Sequence, residues 1–525
     1  MTGSTDTSDD AQEDAAASTA TTTSPAASDH DPDRDTLAAQ EDLVSTEHEV
    51  VLRGERVRYT ATTGRLVLRE EVYDGATFTG MRDRAQVFLT SYVRTDVPGE
   101  RKAEPRPVTF AFNGGPGSSS VWLHLGLLGP RRVQMGDVGD LHAPPAGLVD
   151  NAESLLAVSD LVFIDPVSTG FSRTVEGGEP AAFHGFTGDV ESVGEIIRMW
   201  TSRNGRWMSP KFLAGESYGT LRAAALADHL QTRFGMYLNG VILISSVLDM
   251  GSIRFYEQGN DRACVSFLPT YAALAHLHGR HPDTVSLPEV IERARSYCER
   301  DYPWALGRGL RLTGDGRAAH VATVAELTGL DRDWVDRADL RIEHQRFYAE
   351  LLRDQGLVVG RLDGRFVGPA RAGNAEAAHD DPSFDAIAGP YAAALNHYVR
   401  DELGYSSDLH YEQISSRVHP WSYADFEGRP VEVATRLSRA MRANAHLRVH
   451  VAYGWYDGAT PFHGAQEVLH SLDIPPGDAE RIEHAFYPAG HMMYVHEPSR
   501  RQQSADLADF VVRACPTPAD PEGPA

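Results

Sequence analysis

The stretch FLAGESYGT, residues 212–220, places a serine between two glycines directly after an apolar run. Residues 212–214 are typical of a buried strand, and residues 221–234 carry the apolar spacing of a helix. A sharp turn between a strand and a helix requires small neighbours, because side chains there would collide with nearby backbone. The segment GESYG, residues 215–219, therefore predicts a nucleophile elbow with Ser217 at its tip. The alternative interpretation is an ordinary glycine-rich turn.

Short apolar runs recur along the chain, each followed by a cluster of glycine, aspartate or serine. These runs are residues 108–112, 161–164, 211–214, 241–244 and 449–453. Strands that are buried on both faces and separated by helical patterns describe an open, mostly parallel α/β sheet. Ahead of them, residues 50–53 and 65–68, with a turn at 62–64, predict antiparallel meander strands. Residues 86–93 alternate in the same way.

The chain divides into a core, an insertion and two tails. Residues 1–42 hold eleven Asp or Glu against Arg34 and few apolar residues, which predicts a disordered acidic tail. We expect a second disordered tail at the other end and a helical lid insertion over the ligand edge of the sheet. The predicted segments are tail 1–42, core 43–249, lid 250–400, core 401–514 and tail 515–525.

The insertion carries helical patterns with few strand signals. The helix-like stretches are residues 271–276, 287–299 and 333–355. Asp363 and Gly364 form the Asp-Gly pair that is typical of a tight hairpin turn. We therefore expect one short hairpin within an otherwise helical lid.

Charge and composition narrow the classes of partner and location. The chain of 525 residues has a net charge of -25, which argues against nucleic acid or an anionic membrane surface as a partner. Three cysteines, Cys264, Cys298 and Cys515, provide no disulfide framework, and no spacing is typical of a metal site. Because we find neither a secretory signal pattern nor a run of about 18 apolar residues, we expect a cytoplasmic protein, monomeric or homodimeric, without a cofactor.

A serine hydroxyl is a weak nucleophile and needs a base that is itself oriented by an acid. When the serine stands on an elbow of this kind, the acid and then the histidine follow it along the chain. Asp457 comes just after the apolar run 449–453, and His491 lies in a glycine-led turn after the strand-like residues 482–487. Both are expected at the carboxyl edge of the sheet, where Ser217 also lies.

The glycine-rich loop FNGGPGSSS, residues 112–120, has three possible roles. A phosphate cradle would need a lysine after the loop, which is absent, and a proline stiffens the loop against use as a hinge. The remaining role is to supply an N–H donor to an oxyanion hole, beside the N–H of the residue after the nucleophile. Residues 118–120 are expected to cap the next helix, whose apolar face is formed by Val121, Leu125 and Leu128.

Six ordered motifs carry a family resemblance. They are NGGPGSSS (113–120), LGP (128–130), DPVSTGFSR (165–173), GESYG (215–219), GWYDGATP (454–461) and GHMMY (490–494). Together they resemble the serine carboxypeptidase family of α/β-hydrolases. The resemblance implies an α/β-hydrolase fold with a mostly parallel central sheet, N-terminal antiparallel strands and a helical lid insertion.

The resemblance also implies a role for individual residues. Ser217 corresponds to the nucleophile, His491 to the general base and acid, and Asp457 to the residue that orients it. Gly115 and Tyr218 correspond to the N–H donors of the oxyanion hole. The residues that correspond to the substrate site are Asn113, Gly114 and Glu216, which hold the terminal carboxylate in the family, and Met492.

Three positions depart from the family pattern. Phe112 stands where the family usually has tryptophan, and Ser118 stands where it usually has cysteine. Leu127 stands where it usually has an acidic residue of the carboxylate-binding network. The resemblance therefore supports serine hydrolysis more strongly than it supports specificity for a C-terminus.

Glu216 has two possible roles. A buried carboxyl group binds a substrate carboxylate only if the two share a proton, which favours mildly acidic pH. The alternative is that Glu216 braces the elbow through hydrogen bonds.

The sequence thus supports a serine exopeptidase that removes C-terminal residues from peptides. An esterase or acyltransferase that uses the same triad is the main alternative. A non-catalytic binding protein is a third, and the complete set of Ser217, Asp457 and His491 argues against it.

Overall fold

A ten-stranded sheet runs through the computed structural model, which describes residues 39–96, 105–138, 141–256, 259–371, 376–378 and 380–515. The described strands are β1 (Val44–Leu52), β2 (Glu55–Asp74), β3 (Thr77–Arg94), β4 (Val108–Phe112), β5 (Arg131–Gln134), β6 (Gly147–Asp150), β7 (Asp160–Ile164), β8 (Arg173–Thr174), β9 (Lys211–Glu216), β10 (Gly240–Ile244), β11 (Leu357–Val359), β12 (Val367–Pro369), β13 (Arg448–Gly454) and β14 (Ile482–Tyr487). The strand pairs β5–β6 and β11–β12 form separate small sheets.

The strand order in the large sheet is β1-β2-β3-β7-β4-β9-β10-β13-β14, and β8 pairs with β3. From β7 to β14 neighbouring strands are parallel, whereas β1, β2 and β3 are antiparallel to their neighbours. The central parallel strands β4, β7, β9 and β10 are buried along their whole length, as their continuous apolar runs require. The predicted mostly parallel sheet with antiparallel N-terminal strands is confirmed.

Helices cover both faces of this sheet. The described α-helices are α1 (Val121–Leu123), α2 (Phe186–Arg203), α3 (Tyr218–Phe234), α4 (Arg262–Leu277), α5 (Leu287–Arg300), α6 (Tyr302–Arg308), α7 (Gly314–Thr328), α8 (Arg332–Arg337), α9 (His344–Glu350), α10 (Pro382–His397), α11 (Ala434–Ala443), α12 (Phe462–His470) and α13 (Glu497–Ala514). Phe212 and Leu213 point to opposite faces, since Phe212 packs on Phe510 of α13 and Leu213 joins the cluster formed with α2 and α3.

The N-terminal strands differ from the sequence prediction at one turn. Residues 62–64 lie inside the continuous strand β2, and the turn occurs earlier, at Arg53 and Gly54, where Leu52 pairs with Glu55. Position 64 requires glycine although it is not in a turn. Its φ is +141°, and a Cβ there would lie 2.6 Å from the carbonyl oxygen of Asp42. The glycine thus allows the incoming chain to pack against the strand.

The tails overlap only partly with the described residues. Most of the predicted acidic tail, residues 1–38, and most of the second tail, residues 516–525, lie outside them. Residues 39–42 are described and bonded to the core: the Asp42 carboxylate pairs with Arg65 at 2.6 Å, and Ala39 donates its N–H to Asp83. The predicted boundary at residue 42 is therefore wrong by these four residues.

The helical insertion lies between β10 and β13 and contains α4 to α10. The helix-like stretch 333–355 is divided into α8 and α9, because residues 338–343 between them leave the helical path. The predicted hairpin exists, but Val359 pairs with Val367, so Asp363 and Gly364 lie in a seven-residue loop, 360–366, and not in a tight turn. In the part of the chain that the structure describes, no helix is long and apolar enough to cross a membrane.

Candidate active site

Ser217 lies on a strained turn between β9 and α3. Its φ is 60° and its ψ is -129°, a backbone region that residues other than glycine rarely adopt. The flanking glycines allow this turn: a Cβ on Gly215 would lie 2.1 Å from the carbonyl oxygen of Gly219, and one on Gly219 would lie 2.9 Å from that of Phe112. The Ser217 N–H donates to Ile244 in β10 at 3.0 Å, which fixes the turn on the sheet.

His491 and Asp457 form a buried hydrogen-bonded pair. Nδ1 of His491 lies 2.9 Å from Oδ2 of Asp457. The other partners of the carboxylate are local, since Oδ1 accepts the N–H groups of Ala459 and Thr460 and Oδ2 accepts the Thr460 hydroxyl at 2.7 Å. The carboxylate is therefore fixed while it holds the imidazole.

The two pKa values in this pair move apart. Burial alone raises the pKa of Asp457, but the charge and hydrogen bond of His491 and the bonds from Thr460 lower it below its usual value. Burial lowers the pKa of His491, and the neighbouring Asp457, with Glu216, raises it above its usual value. This coupling favours an ionised acid that stabilises the imidazolium formed during proton transfer.

The hairpin loop of the insertion, residues 360–366, packs against the turn that carries His491. The carbonyl oxygen of Leu362 accepts the His491 N–H at 2.6 Å. A Cβ on Gly490 would lie 2.4 Å from the Cα of Asp363, so only glycine allows this contact. Asp363 is in turn paired with Arg365 at 2.6 Å. The insertion therefore helps to position the histidine in addition to covering the site.

The same loop also contacts the turn that carries Asp457. The Gly364 N–H donates to the carbonyl oxygen of Tyr456 at 3.0 Å. From α9, the Tyr348 hydroxyl donates to the carbonyl oxygen of Gly458 at 2.5 Å. On the core side, the Ser245 hydroxyl donates to the carbonyl oxygen of His491 at 2.6 Å. Core and insertion thus hold the histidine–aspartate pair between them.

The glycine-rich loop lies against the elbow. A Cβ on Gly114 would lie 2.4 Å from the backbone nitrogen of Tyr218, so the loop and the start of α3 meet at van der Waals distance. Gly115 has a φ of +102° and lines the same cavity as Ser217. Of the residues predicted to cap the next helix, Ser120 occupies the N-cap position of α1, but its hydroxyl donates to Asp165 at 2.7 Å and makes no capping bond. That capping prediction is wrong.

Asn113 and Glu216 form a buried polar pair beside the elbow. The Asn113 amide donates to Oε1 of Glu216 at 2.7 Å, and the Tyr494 hydroxyl donates to Oε2 at 2.7 Å. Burial raises the pKa of Glu216 to about 7, although His491, Tyr494 and Asn113 oppose the shift. Arg222, paired with Asp189 at 2.8 Å, holds the loop by donating to the Asn113 carbonyl oxygen at 2.6 Å.

These groups surround one cavity of about 170 Å³. Seven of the predicted residues line it: Asn113, Gly114, Gly115, Glu216, Ser217, His491 and Met492. Asp457 lies behind His491, and Tyr218 reaches the loop through its backbone nitrogen. Within the described residues, no cluster of three or more His, Cys, Asp or Glu side chains could hold a metal ion.

Sequence reasoning missed several residues of the site. The Tyr494 hydroxyl donates to Glu216, and the Thr460 hydroxyl donates to Asp457. Both residues lie inside the motifs quoted above, so their positions in those motifs could have identified them. The missed lining residues are Ser118 and Trp122 near the loop, Ile414 and Ala459 of the core, and from the insertion Arg361, Leu362, Phe384 and Ile387. No local pattern marks the insertion residues, because tertiary packing alone brings them to the cavity.

A family model described as serine carboxypeptidase matches residues 92–252 of this chain. The matched region contains the glycine-rich loop and the elbow, and it ends before Asp457 and His491. Two curated relatives are similar over part of the chain. "Serine carboxypeptidase-like 13" of Arabidopsis thaliana is 26% identical over 34% of this chain and 41% of its own length. "Serine carboxypeptidase-like 11" of the same plant is 28% identical over 29% and 34%.

The chain therefore spans less than half the length of these relatives, and the predicted resemblance to the serine carboxypeptidase family is confirmed. Among solved structures, a thermostable carboxyl esterase from Bacillus coagulans is 12% identical with a TM-score of 0.35, covering 86% of this chain and 98% of that chain. The chain has an α/β-hydrolase fold, as its strand order, elbow and insertion point indicate.

Proposed function

We propose that this relative of the serine carboxypeptidases is a serine hydrolase that removes C-terminal residues from peptides. The observation that carries the proposal is the buried Asn113–Glu216 pair, which lines the cavity of Ser217 and His491. A carboxyl group whose pKa burial raises to about 7 is suited to share a proton with a second carboxylate.

In the proposed reaction, the Ser217 hydroxyl oxygen attacks the carbonyl carbon of the last peptide bond while Nε2 of His491 takes its proton. Asp457 holds Nδ1 and stabilises the imidazolium. The N–H groups of Gly115 and Tyr218 bind the oxyanion. His491 then gives its proton to the leaving amine, and a water molecule hydrolyses the acyl-enzyme by the same steps in reverse order.

The proposed substrate is a peptide with a free C-terminus, whose carboxylate meets Asn113, Gly114 and Glu216. With Glu216 protonated, its O–H group replaces one repulsive charge by a hydrogen-bond donor. Substrate binding is therefore expected to weaken as the pH rises through about 7. Cytoplasmic location and a monomeric or homodimeric state stay predictions.

An esterase or acyltransferase is the second candidate. It is favoured by the hydrogen bonds of Glu216, because both carboxyl oxygens already have protein partners in Asn113 and Tyr494. In that case Glu216 braces the elbow, and the triad acts on an acyl group without a terminal carboxylate.

A panel of blocked dipeptides with free or amidated C-termini, assayed beside a short-chain ester, distinguishes the two candidates. A carboxypeptidase loses most of its kcat/KM when the terminus is amidated. Equal rates on both forms would exclude the role given to Asn113 and Glu216, and turnover of the ester alone would favour the second candidate.

A further inference from the structure

The cavity above Ser217 has one permanent positive charge among the described residues that line it. This charge belongs to Arg361, in the hairpin loop of the insertion, which lines the cavity together with Ser217 and His491. Burial and the Arg361 charge both lower the pKa of His491, although Asp457 and Glu216 outweigh them. Arg361 therefore belongs to the same cavity as the reacting groups.

The backbone that carries Arg361 is fixed on both sides. The N–H groups of Arg361 and Leu362 donate to the Asp381 carboxylate at 3.0 and 3.1 Å. The Leu362 carbonyl oxygen accepts the His491 N–H at 2.6 Å. A side chain that starts from such an anchored backbone loses less conformational freedom when it binds a ligand.

The guanidinium is only weakly compensated inside the protein. Its Nε lies 4.0 Å from Oδ2 of Asp381, which is beyond hydrogen-bond distance. The Asp381 carboxylate also accepts the N–H and hydroxyl of Ser383 in addition to the two loop N–H groups. The Arg361 side chain is 38% exposed, so its planar fork of donors is accessible. This arrangement is suited to a bidentate contact with a carboxylate.

We propose that Arg361 binds a carboxylate of the substrate residue on the leaving-group side, beside the His491 that protonates the leaving group. The carboxylate is either the terminal one or an acidic side chain of the last residue. This inference rests on the proposed acyl transfer by Ser217 and names its substrate class.

Glu216 gives a physical reason for such a cation. Because burial raises its pKa to about 7, part of the Glu216 population is ionised near neutral pH and repels a substrate carboxylate. The positive charge of Arg361, a residue that lines the same cavity, offsets that repulsion. Anionic substrates then stay bound where Glu216 alone would reject them.

The test compares kcat/KM on two matched substrate pairs. The first is a blocked depsipeptide, an ester whose leaving group is a hydroxy acid with its carboxylate free or amidated. The second is a blocked peptide that ends in glutamate or in glutamine. The variants are Arg361→Gln, Arg361→Lys and, as a control, Arg293→Gln, which removes an arginine paired with Glu326 on the outer surface of the insertion.

We expect Arg361→Gln to reduce the preference for the anionic member of one pair by about 10- to 100-fold, since a charge-assisted bidentate contact is lost. Arg361→Lys should keep part of the preference, and Arg293→Gln should keep the wild-type value. An effect on the first pair identifies the terminal carboxylate, and an effect on the second identifies the acidic side chain.

An unchanged preference in Arg361→Gln, or an equal loss on all four substrates, would overturn the inference. Cleavage of the depsipeptide without cleavage of any peptide would contradict the proposed peptidase activity. The kcat/KM values of the Arg361 variants could still be compared on the free and amidated depsipeptides. If no substrate is turned over, the dissociation constants of the same four compounds, measured by calorimetry on Ser217→Ala with and without Arg361→Gln, give the same comparison.

Discussion

The two halves of the candidate active site are built in different ways. The nucleophile side is local, because Ser217, its strained turn and the flanking glycines all lie within residues 215–219. The histidine side is assembled from distant segments, since His491 is held by Asp457, by Ser245 of the core and by Leu362 of the insertion.

This difference indicates what each half depends on. The elbow needs only a strand, a turn and a helix, so changes in the insertion should leave its backbone in place. The imidazole of His491 is positioned by contacts that belong to the insertion as well as to the sheet. Activity should therefore depend on the insertion even when the fold does not.

Replacing the nucleophile should produce the largest effect. Ser217→Ala removes the attacking oxygen while it keeps the elbow, so we expect kcat/KM to fall by about five to six orders of magnitude on every substrate. Because the turn is held by backbone, the free energy of unfolding should change by no more than about 1 kcal/mol. Steady-state assays and denaturant unfolding measure the two quantities.

The matched control is Ser296→Ala, a half-buried serine of α5 whose hydroxyl donates to Glu292 within the same helix. It should keep wild-type turnover. Retention of activity in Ser217→Ala would instead show that the elbow serine is not the nucleophile.

A change at the junction of insertion and histidine turn should produce a smaller loss. In Gly490→Ala the new Cβ would lie 2.4 Å from the Cα of Asp363, so either the hairpin loop or His491 must move. A displacement of about 1 Å of a catalytic group costs on the order of 100-fold in rate. We expect a fall of that size in kcat with the elbow and the sheet intact.

Gly389→Ala is the control, because a Cβ at that position in α10 has no atom within 4 Å. It should leave kcat unchanged. If Gly490→Ala also kept wild-type kcat, the insertion would have no part in positioning the histidine, and the contrast between the two halves would be lost.

The same contrast explains what the sequence could predict. The elbow and the buried parallel strands are each formed by contiguous residues. The apolar runs and the glycine spacing in those residues therefore identify Ser217 and the sheet directly. Asp457 and His491 followed from chain order and from turns at strand ends. Leu362 and Arg361 could not be found in this way, because a seven-residue hairpin loop carries no signal for the distant turn that it contacts.

The errors in the fold prediction have a related cause. The sequence pattern predicts a turn at Gly64, but this glycine lies inside β2, where the backbone of Asp42 and Leu43 occupies the space that a side chain would need. The sequence predicts that Ser120 caps α1, but its hydroxyl donates to Asp165, which lies 45 residues away in sequence. In both cases a tertiary contact replaced the local interaction that the residue type usually makes.

The smallest predicted effect concerns Glu216, the residue of the elbow that is proposed to contact the substrate. The unfolded chain releases this proton near pH 4.5, whereas the folded protein holds it up to about pH 7. The group therefore contributes its full stability below pH 4.5, and that contribution falls by about 1.4 kcal/mol per pH unit between 4.5 and 7. Glutamine mimics the protonated form, since its amide can accept from Asn113 and donate to Tyr494.

Glu216→Gln should thus remove this slope from the free energy of unfolding, measured by denaturant titration at several pH values. It should also flatten the rise of KM above pH 7 on substrates with a free C-terminus. The exposed Glu427→Gln is the control and should keep both wild-type profiles. A flattened stability profile with an unchanged KM profile would assign Glu216 to the bracing of the elbow and exclude it from binding of the substrate carboxylate.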